Sequence, residues 1–385
     1  MGGGLMQLVA YGAQDIYLTG NPQITFFKVV YRRHTNFSME AIEQTVSGST
    51  SLGGRNTSTI SRNGDLLGRM YWQYTIGDNN NAANQFINPG HTVLNEVKVE
   101  VGGQEVDKHY GHWMEVHAQL TEPNDAGMIG SLGDNNGTKF QNMAGAGGVE
   151  IATQNDSATV FVPLRFWFCR NPGCYLPLIA LQYHEVKIVT TFASPTNASF
   201  SSPKLWADYV YLDTDERRRF AQVSHEYLIE QVQHQSFSAG TTHDINFNHP
   251  VKELIWTGNY TAPTGVFDQL GTDTYKLKLN GHDRMEARPL TYYTKVQVYE
   301  SHTGTPVDME TLAPTPGASN ATATGVAVYS FALKPEEHQP SGTCNFSRID
   351  NAQLVTGDNQ DLEVYAVNYN VLRVMSGMGG LAYSN

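Results

Sequence analysis

The stretch Val97-Lys-Val-Glu-Val-Gly-Gly-Gln-Glu105 alternates apolar and polar residues and then turns at two glycines. This alternation is typical of a β-strand with one buried face that is followed by a tight turn. Residues 275–283, Tyr-Lys-Leu-Lys-Leu-Asn-Gly-His-Asp, repeat the pattern in the second half of the chain. The two stretches therefore predict the same strand–turn–strand unit twice.

The repeat extends through both halves of the chain. Residues 41–46 (AIEQTV) are echoed by residues 228–233 (LIEQVQ). Aromatic residues also recur after the two turns, because Trp113 follows Gly103 by ten residues and Tyr292 follows Gly281 by eleven. Residues 161–211 and 326–374 share one order of strands and Pro-containing loops. We infer a duplicated all-β domain whose join lies near residues 213–219.

Several runs are apolar on both faces and predict strands that are covered on both sides, by a second sheet or by a neighbouring subunit. They are residues 166–169, 205–212 and 254–256. Helical periodicity is scarce, and one short helix is predicted after Gly111, ended by Pro123. About eight short antiparallel strands in each half suit two tandem eight-stranded jelly rolls with few short helices, although an open sandwich also satisfies the alternation.

The composition limits the class of protein. The chain has 385 residues, and 25 Lys+Arg against 37 Asp+Glu give a net charge of −12, which disfavours binding to phosphate backbones. Its three cysteines (Cys169, Cys174 and Cys344) make no disulfide framework and no zinc pattern. No apolar run is long enough to span a bilayer, and the N-terminus lacks the pattern of a secretory signal. We expect a soluble, acidic protein that folds in a reducing compartment.

No active site is visible in the sequence. None of the 13 histidines has another histidine or an acid two positions further on, as jelly-roll metal enzymes require. His109, His112 and His117 are the nearest approach to a metal cluster, but the neighbouring Tyr110 and Trp113 favour packing in or near an aromatic core. There is no Gly-x-Ser-x-Gly motif. We therefore predict no catalytic, cofactor-binding or metal-binding residue, and no enzyme.

Three further segments have simple interpretations. Residues 213–219, DTDERRR, are interpreted as a solvated charged connector. The alternative is that the three arginines bind nucleic acid or another ligand. Residues 121–158 are rich in Gly and Asn and predict an exposed excursion. Residues 377–382, GMGGLA, lie too near the C-terminus for a dinucleotide loop and predict a flexible tail.

Blocks spread over the whole chain resemble the major capsid proteins of nucleocytoplasmic large DNA viruses, most closely the chlorella-virus (phycodnavirus) type. Each block is short, but together they occur in the family's order from the first ten residues to the last three. The blocks are residues 8–28 (LVAYGAQDIYLTGNPQITFFK), 61–65 (SRNGD), 176–187 (LPLIALQYHEVK), 246–250 (NFNHP), 339–351 (QPSGTCNFSRIDN) and 368–383 (NYNVLRVMSGMGGLAY).

The resemblance implies a double jelly-roll protomer that forms homotrimeric, pseudo-hexagonal capsomers of an icosahedral shell. It also implies partners: neighbouring capsomers, minor capsid and penton proteins, and an internal membrane beneath the shell, with no direct contact to nucleic acid. Such a protein belongs to the virion and is made and assembled in the host cytoplasm. The expected organisation is an arm at the capsomer base (1–25), a first jelly roll (26–212), a charged linker (213–223) and a second jelly roll with a C-terminal tail (224–385).

The expected mechanism is assembly. We predict that the strands Leu205–Leu212 and Val364–Val374 form trimer contacts, so that a charged residue in place of Trp206 or Tyr369 leaves monomers or insoluble protein. Two alternatives stay open: a minor capsid paralogue of the same fold, and a carbohydrate-binding jelly-roll protein.

Overall fold

The computed structural model describes residues 3–10, 12–78, 86–123, 137–151, 157–195, 198–261, 266–267, 270–271, 273–304, 306 and 325–383. The chain divides into two units, Met1–Asn36 and Phe37–Asn385. The first unit contains two short helices, α1 (Gly3–Val9) and α2 (Ile16–Thr19). Its large apolar side chains, Phe27 among them, are exposed.

The second unit begins with eight antiparallel strands in two sheets. They are β1 (Phe37–Gln44), β2 (Arg55–Thr59), β3 (Leu66–Asp78), β4 (Leu94–Val101), β5 (Gln104–Tyr110), β6 (Ser157–Pro163), β7 (Val186–Phe192) and β8 (Ala198–Leu212). In one sheet β8 lies between β1 and β3, and β6 pairs with the other edge of β3; the other sheet has the order β2-β7-β4-β5. In most of these strands alternate residues face the core between the sheets, among them Trp72, Tyr74 and Val99, whereas β1 is exposed along most of its length.

The second half repeats this order. Its strands are β9 (His225–Ile245), β10 (Pro250–Thr257), β11 (Thr274–Leu279), β12 (His282–Asp283), β13 (Val326–Ser330), β14 (Ala352–Met375) and β15 (Met378–Leu381). β9 and β14 pair with each other and continue from one layer into the other, with register shifts on both sides of Gly240. In the first layer β14 lies between β9 and β10, and β13 pairs with β10; in the second layer β14 lies between β9 and β11, and β12 follows. The double jelly roll predicted from the sequence is confirmed.

Short elements connect these strands. In the part of the chain that the structure describes, no helix has the length and hydropathy to cross a membrane. The helices are α3 (Pro89–Thr92), α4 (Gly111–Thr121), α5 (Lys139–Ala144), α6 (Trp167–Arg170), α7 (Thr214–Gln222) and α8 (Gln297–Ser301), which continues a π-helical turn (Tyr292–Val296); 3₁₀ turns occupy Pro172–Cys174 and Phe346–Arg348. Two-residue strands are Ser47–Gly48, Phe86–Ile87, Glu150–Ile151, Leu176–Pro177, Tyr260–Thr261, Val266–Phe267, Arg288–Pro289 and Cys344–Asn345.

Three local predictions were wrong. The aromatic run at residues 166–169 is largely the helix α6 and not a strand, because a short buried apolar run has no period that separates the two. Residues 140–149 are mostly buried: a capping box of Thr138 and Gln141 begins α5 there. Residues 377–382 are no flexible tail, because β15 pairs with β14 and Gly379 packs against the first jelly roll. The rest of the predicted 121–158 excursion (124–136 and 152–156) lies outside the described residues.

Candidate assembly surfaces

Helix α4 joins the two jelly rolls. It begins directly after β5 at Gly111, where a Cβ atom would lie 2.0 Å from the carbonyl oxygen of Leu94, so that only glycine fits. Trp113 on this helix is 2% exposed, and its ring lies 5.0 Å from that of Tyr365 in the second jelly roll. The apolar cluster at this joint consists of Ile87, Trp113, Val116, Leu120, Ile255, Val298, Val326, Val328, Tyr365 and Val367, with the partly buried Tyr110 and Val232 packed against it.

The three clustered histidines pack against aromatic rings, as predicted. His109 stacks on Phe166 with the ring centroids 4.5 Å apart, and His112 is hydrogen-bonded to the hydroxyl of Tyr365. His117 contacts Trp113 edge-on, with the ring centroids 5.9 Å apart. Burial holds the pKa of both His112 and His117 well below the usual value, with nearby positive charges adding to the effect. Both are therefore neutral at pH 7. Among the described residues no three His, Cys, Asp or Glu side chains converge in a way that would hold a metal.

A buried carboxylate ties the two jelly rolls together. Glu230 of β9 accepts hydrogen bonds from Arg170 of α6 at 2.6 Å and from Lys252 of β10 at 2.9 Å. Lys252 also donates to the carbonyl oxygen of Pro335. Burial alone would raise the pKa of the Glu230 carboxyl, but the two cations outweigh it and lower that pKa. Arg170 belongs to the first half and the other two to the second, so the contact is electrostatic as well as apolar.

His302, directly after α8, makes a second buried ion pair. Its Nε2 lies 3.1 Å from Glu253 of β10, and its Nδ1 lies 3.2 Å from Glu336. Burial alone would lower the pKa of this imidazole, but the two carboxylates outweigh it and raise the pKa to about 9. His302 is thus positively charged at neutral pH and holds the end of α8 against β10.

A cleft of about 890 Å³ is lined by residues of both jelly rolls. On its wall Arg165 donates to Glu122 at 2.5 Å, and Arg170 and Lys252 both donate to Glu230. Burial raises the pKa of the Cys169 thiol to about 12, so this cysteine is protonated and unreactive at neutral pH. The described residues of the cleft thus offer no activated nucleophile.

Three aromatic side chains stand on the outer face of the first sheet, and we call them the aromatic patch: Tyr71 of β3, Phe161 of β6 and Trp206 of β8. Tyr71 and Trp206 stack with their centroids 6.4 Å apart, and Phe161 meets Tyr71 edge-on at 6.1 Å. Phe161 is 37% exposed and the other two are half-buried. Trp206 donates from its Nε1 to Gln73 at 2.8 Å.

The two strands predicted to form trimer contacts differ in the structure. In the strand 205–212 the side chain of Trp206 is partly exposed, so the trimer contact predicted for this strand stays a prediction. In contrast, the residues of Val364–Val374 are mostly buried within the chain itself, and Tyr369 is only 6% exposed. The strand is apolar on both faces because the first half covers its outer side, with Trp113 against Tyr365. The prediction for Tyr369 was therefore wrong.

A helical segment of the second jelly roll, residues 292–301, has one buried side and one open side. Tyr293 and Val298 are buried, whereas Val296 is partly open and Tyr299 is 88% exposed. Sequence analysis missed this surface, although the repeated spacing of Trp113 and Tyr292 was a signal for a second helix like α4. The predicted connector is the exposed helix α7, whose Arg217 pairs with Asp65 of the first jelly roll at 3.0 Å.

Comparison with known proteins assigns the chain to a family. Residues 25–213 match the family model described as the major capsid protein N-terminus, and residues 216–380 match that of the large eukaryotic DNA virus major capsid protein. The chain belongs to the major capsid proteins of large eukaryotic DNA viruses. It is therefore a structural component of a virion shell. The acidic composition agrees with this role, and so do the buried apolar and ionic contacts that join the two jelly rolls.

Relatives share the full length of this capsid protein. It is 54% identical to the major capsid protein of Pyramimonas orientalis virus and 40% identical to that of Paramecium bursaria Chlorella virus 1, each over 100% of both chains. Among solved structures it resembles PBCV-1 VP54, with 36% identity, a TM-score of 0.78, and coverage of 94% of this chain and 100% of that one. The Faustovirus major capsid protein shares the fold at 14% identity, with a TM-score of 0.66.

Proposed function

We propose that three copies of this capsid protein form a closed homotrimeric capsomer, in which six similar jelly rolls surround one axis and tile the facets of an icosahedral shell. The observation that carries the proposal is that both halves of the chain have the same strand order. A ring of three such chains has nearly six-fold symmetry and packs in a hexagonal array. The protein then acts by burying surface between copies and not by catalysis.

The proposed organisation follows the sequence. Residues 1–25 serve as an arm at the capsomer base, residues 26–212 and 224–385 are the two jelly rolls, and residues 213–223 link them. The exposed apolar side chains of the arm support a role in binding other shell components. We propose that these are minor capsid and penton proteins above an internal membrane, with assembly in the host cytoplasm.

The solution mass of the purified protein tests the trimer. One chain has a mass of 42.5 kDa, and light scattering should give three times that value, unchanged on dilution into the nanomolar range. A stable monomer would refute the homotrimeric capsomer and would leave a double jelly roll that needs another protein to assemble.

A further inference from the structure

The chain contains one complete docking of a helix onto a jelly-roll sheet. Helix α4 of the first half lies on the outer face of the first layer of the second half, where Trp113 contacts Tyr365. Ile255 of β10 and Val328 of β13 belong to the same contact cluster. This contact shows how one jelly roll of this protein recognises the next.

Strand register identifies the corresponding face of the first jelly roll. Ile255 of β10 pairs with Tyr365 of β14 on one side and with Val328 of β13 on the other. Tyr71 of β3 likewise pairs with Trp206 of β8 and with Pro163 of β6. Each of these central residues directly precedes a buried tryptophan, Trp256 and Trp72 respectively, whose side chain points into its own core. Tyr71 therefore takes the place of Ile255, and Trp206 takes the place of Tyr365.

Phe161 completes the correspondence. It pairs with Gln73 of β3, two residues beyond Tyr71, just as Val326 pairs with Thr257, two residues beyond Ile255. The aromatic patch thus occupies the positions that α4 covers in the second jelly roll. In the first jelly roll, however, these side chains are partly open to solvent.

The helical segment 292–301 corresponds to α4. Both follow a strand–turn–strand unit with glycine at the turn, and Trp113 and Tyr292 lie at nearly the same distance from that glycine. Almost every residue of α4 is buried, one side in its own jelly roll and the other against the next. Segment 292–301 buries only its own side, and leaves Val296 and Tyr299 open at a helical spacing of three.

We propose that segment 292–301 of one copy docks onto the aromatic patch of a second copy, as α4 docks onto the second jelly roll within the chain. The inference rests on the proposed trimer and names its contact. The contact is head-to-tail. Each copy contributes its segment 292–301 to one neighbour and its aromatic patch to the other, so that three copies close a ring in which every segment and every patch is covered. Each surface also has a base and an acid at its rim, Lys295 and Glu300 on the helix and Arg69 and Asp208 beside the patch, which permits pairs of opposite charge.

Charge substitutions at the two surfaces test the contact. A glutamate in place of Tyr299 or of Phe161 would be desolvated without a partner, and we expect each variant to raise the dissociation constant of the trimer by about 100-fold or more. Both residues are partly or largely exposed within the chain, so the far-UV circular dichroism of each variant should match that of the wild type, although its melting temperature should fall with the loss of the trimer contact. The matched control is Tyr183→Glu, which changes an exposed tyrosine outside both surfaces and should leave the trimer intact. Sedimentation velocity over a dilution series gives the masses.

Disulfide trapping tests the position directly. Protein with Phe161→Cys is co-expressed with protein with Tyr299→Cys, so that mixed trimers form during assembly, and the purified product is oxidised. Covalent dimers on a non-reducing gel are expected from this product, and none from Tyr183→Cys co-expressed with Tyr299→Cys. If the wild type is a trimer, and both glutamate variants hold together as well as it does with no cross-link formed, the docking is wrong while the capsomer stands. A monomeric wild type overturns both.

Discussion

His302 should make the fold sensitive to alkaline pH. Its pKa is about 9 in the folded protein, against an ordinary value of 6.5, because Glu253 and Glu336 flank it within 3.2 Å. This difference corresponds to about 3 kcal/mol, since each pKa unit contributes about 1.4 kcal/mol. The folded state binds the proton more tightly than the unfolded chain does. The stabilisation is therefore fully present below pH 6.5 and is lost as the pH rises through about 9.

The variant His302→Gln removes the charge at every pH. At pH 7 we expect its free energy of unfolding in urea to be lower than that of the wild type by about 3 kcal/mol. At pH 10 the wild type has lost the same proton, so the difference between the two proteins should shrink to below about 1 kcal/mol. His282→Gln, at an exposed histidine, is the control and should change little at either pH. An equal difference between wild type and His302→Gln at pH 7 and pH 10 would refute the assigned pKa.

Three further outcomes are expected from the joint between the jelly rolls. Trp113→Ala should lower the free energy of unfolding by about 3–5 kcal/mol in a denaturant titration, because it leaves a large cavity at a buried site; a loss under about 1 kcal/mol would contradict the packing. Glu230→Gln leaves Arg170 and Lys252 without their shared carboxylate and should cost about 3–5 kcal/mol by the same assay, whereas an unchanged midpoint would show that the pairs contribute nothing. Neutral, buried His112 should make the urea midpoint fall between pH 6.5 and pH 5, since the unfolded chain takes up the proton first; His112→Gln should reduce that fall, and an equal fall in both proteins would contradict it.

The sequence predicted the parts of the fold whose signal is local. The alternation at Val97–Val101 and the short helix after Gly111 are both present, and the duplication led directly to two jelly rolls. The helix α6 was missed because four apolar residues in a row have no period. The strand β15 was missed because its glycines suggest flexibility, whereas tertiary contacts with Leu181 and Val101 require a residue without a side chain there.

The candidate site was predicted less completely, for a physical reason. The ion pairs of His302 join residues 253, 302 and 336, and that of Glu230 reaches back to residue 170. Such contacts leave no pattern in a single sequence. Tyr369 was predicted to face a second subunit because an apolar outer face is the same in sequence whether another chain or another half of the same chain covers it.

The strand β14 has a consequence for biosynthesis. It is the central strand of both layers of the second jelly roll, and it pairs with β9, β10 and β11. Residues 352–375 leave the ribosome after all of these partners, so the second jelly roll lacks its central strand until β14 has been made, whereas all eight strands of the first have been made by residue 212. We expect chains that terminate before residue 352 to lack an ordered second jelly roll, because β9, β10 and β11 are then without their common partner. The second jelly roll, which the proposed trimer needs, therefore folds later than the first.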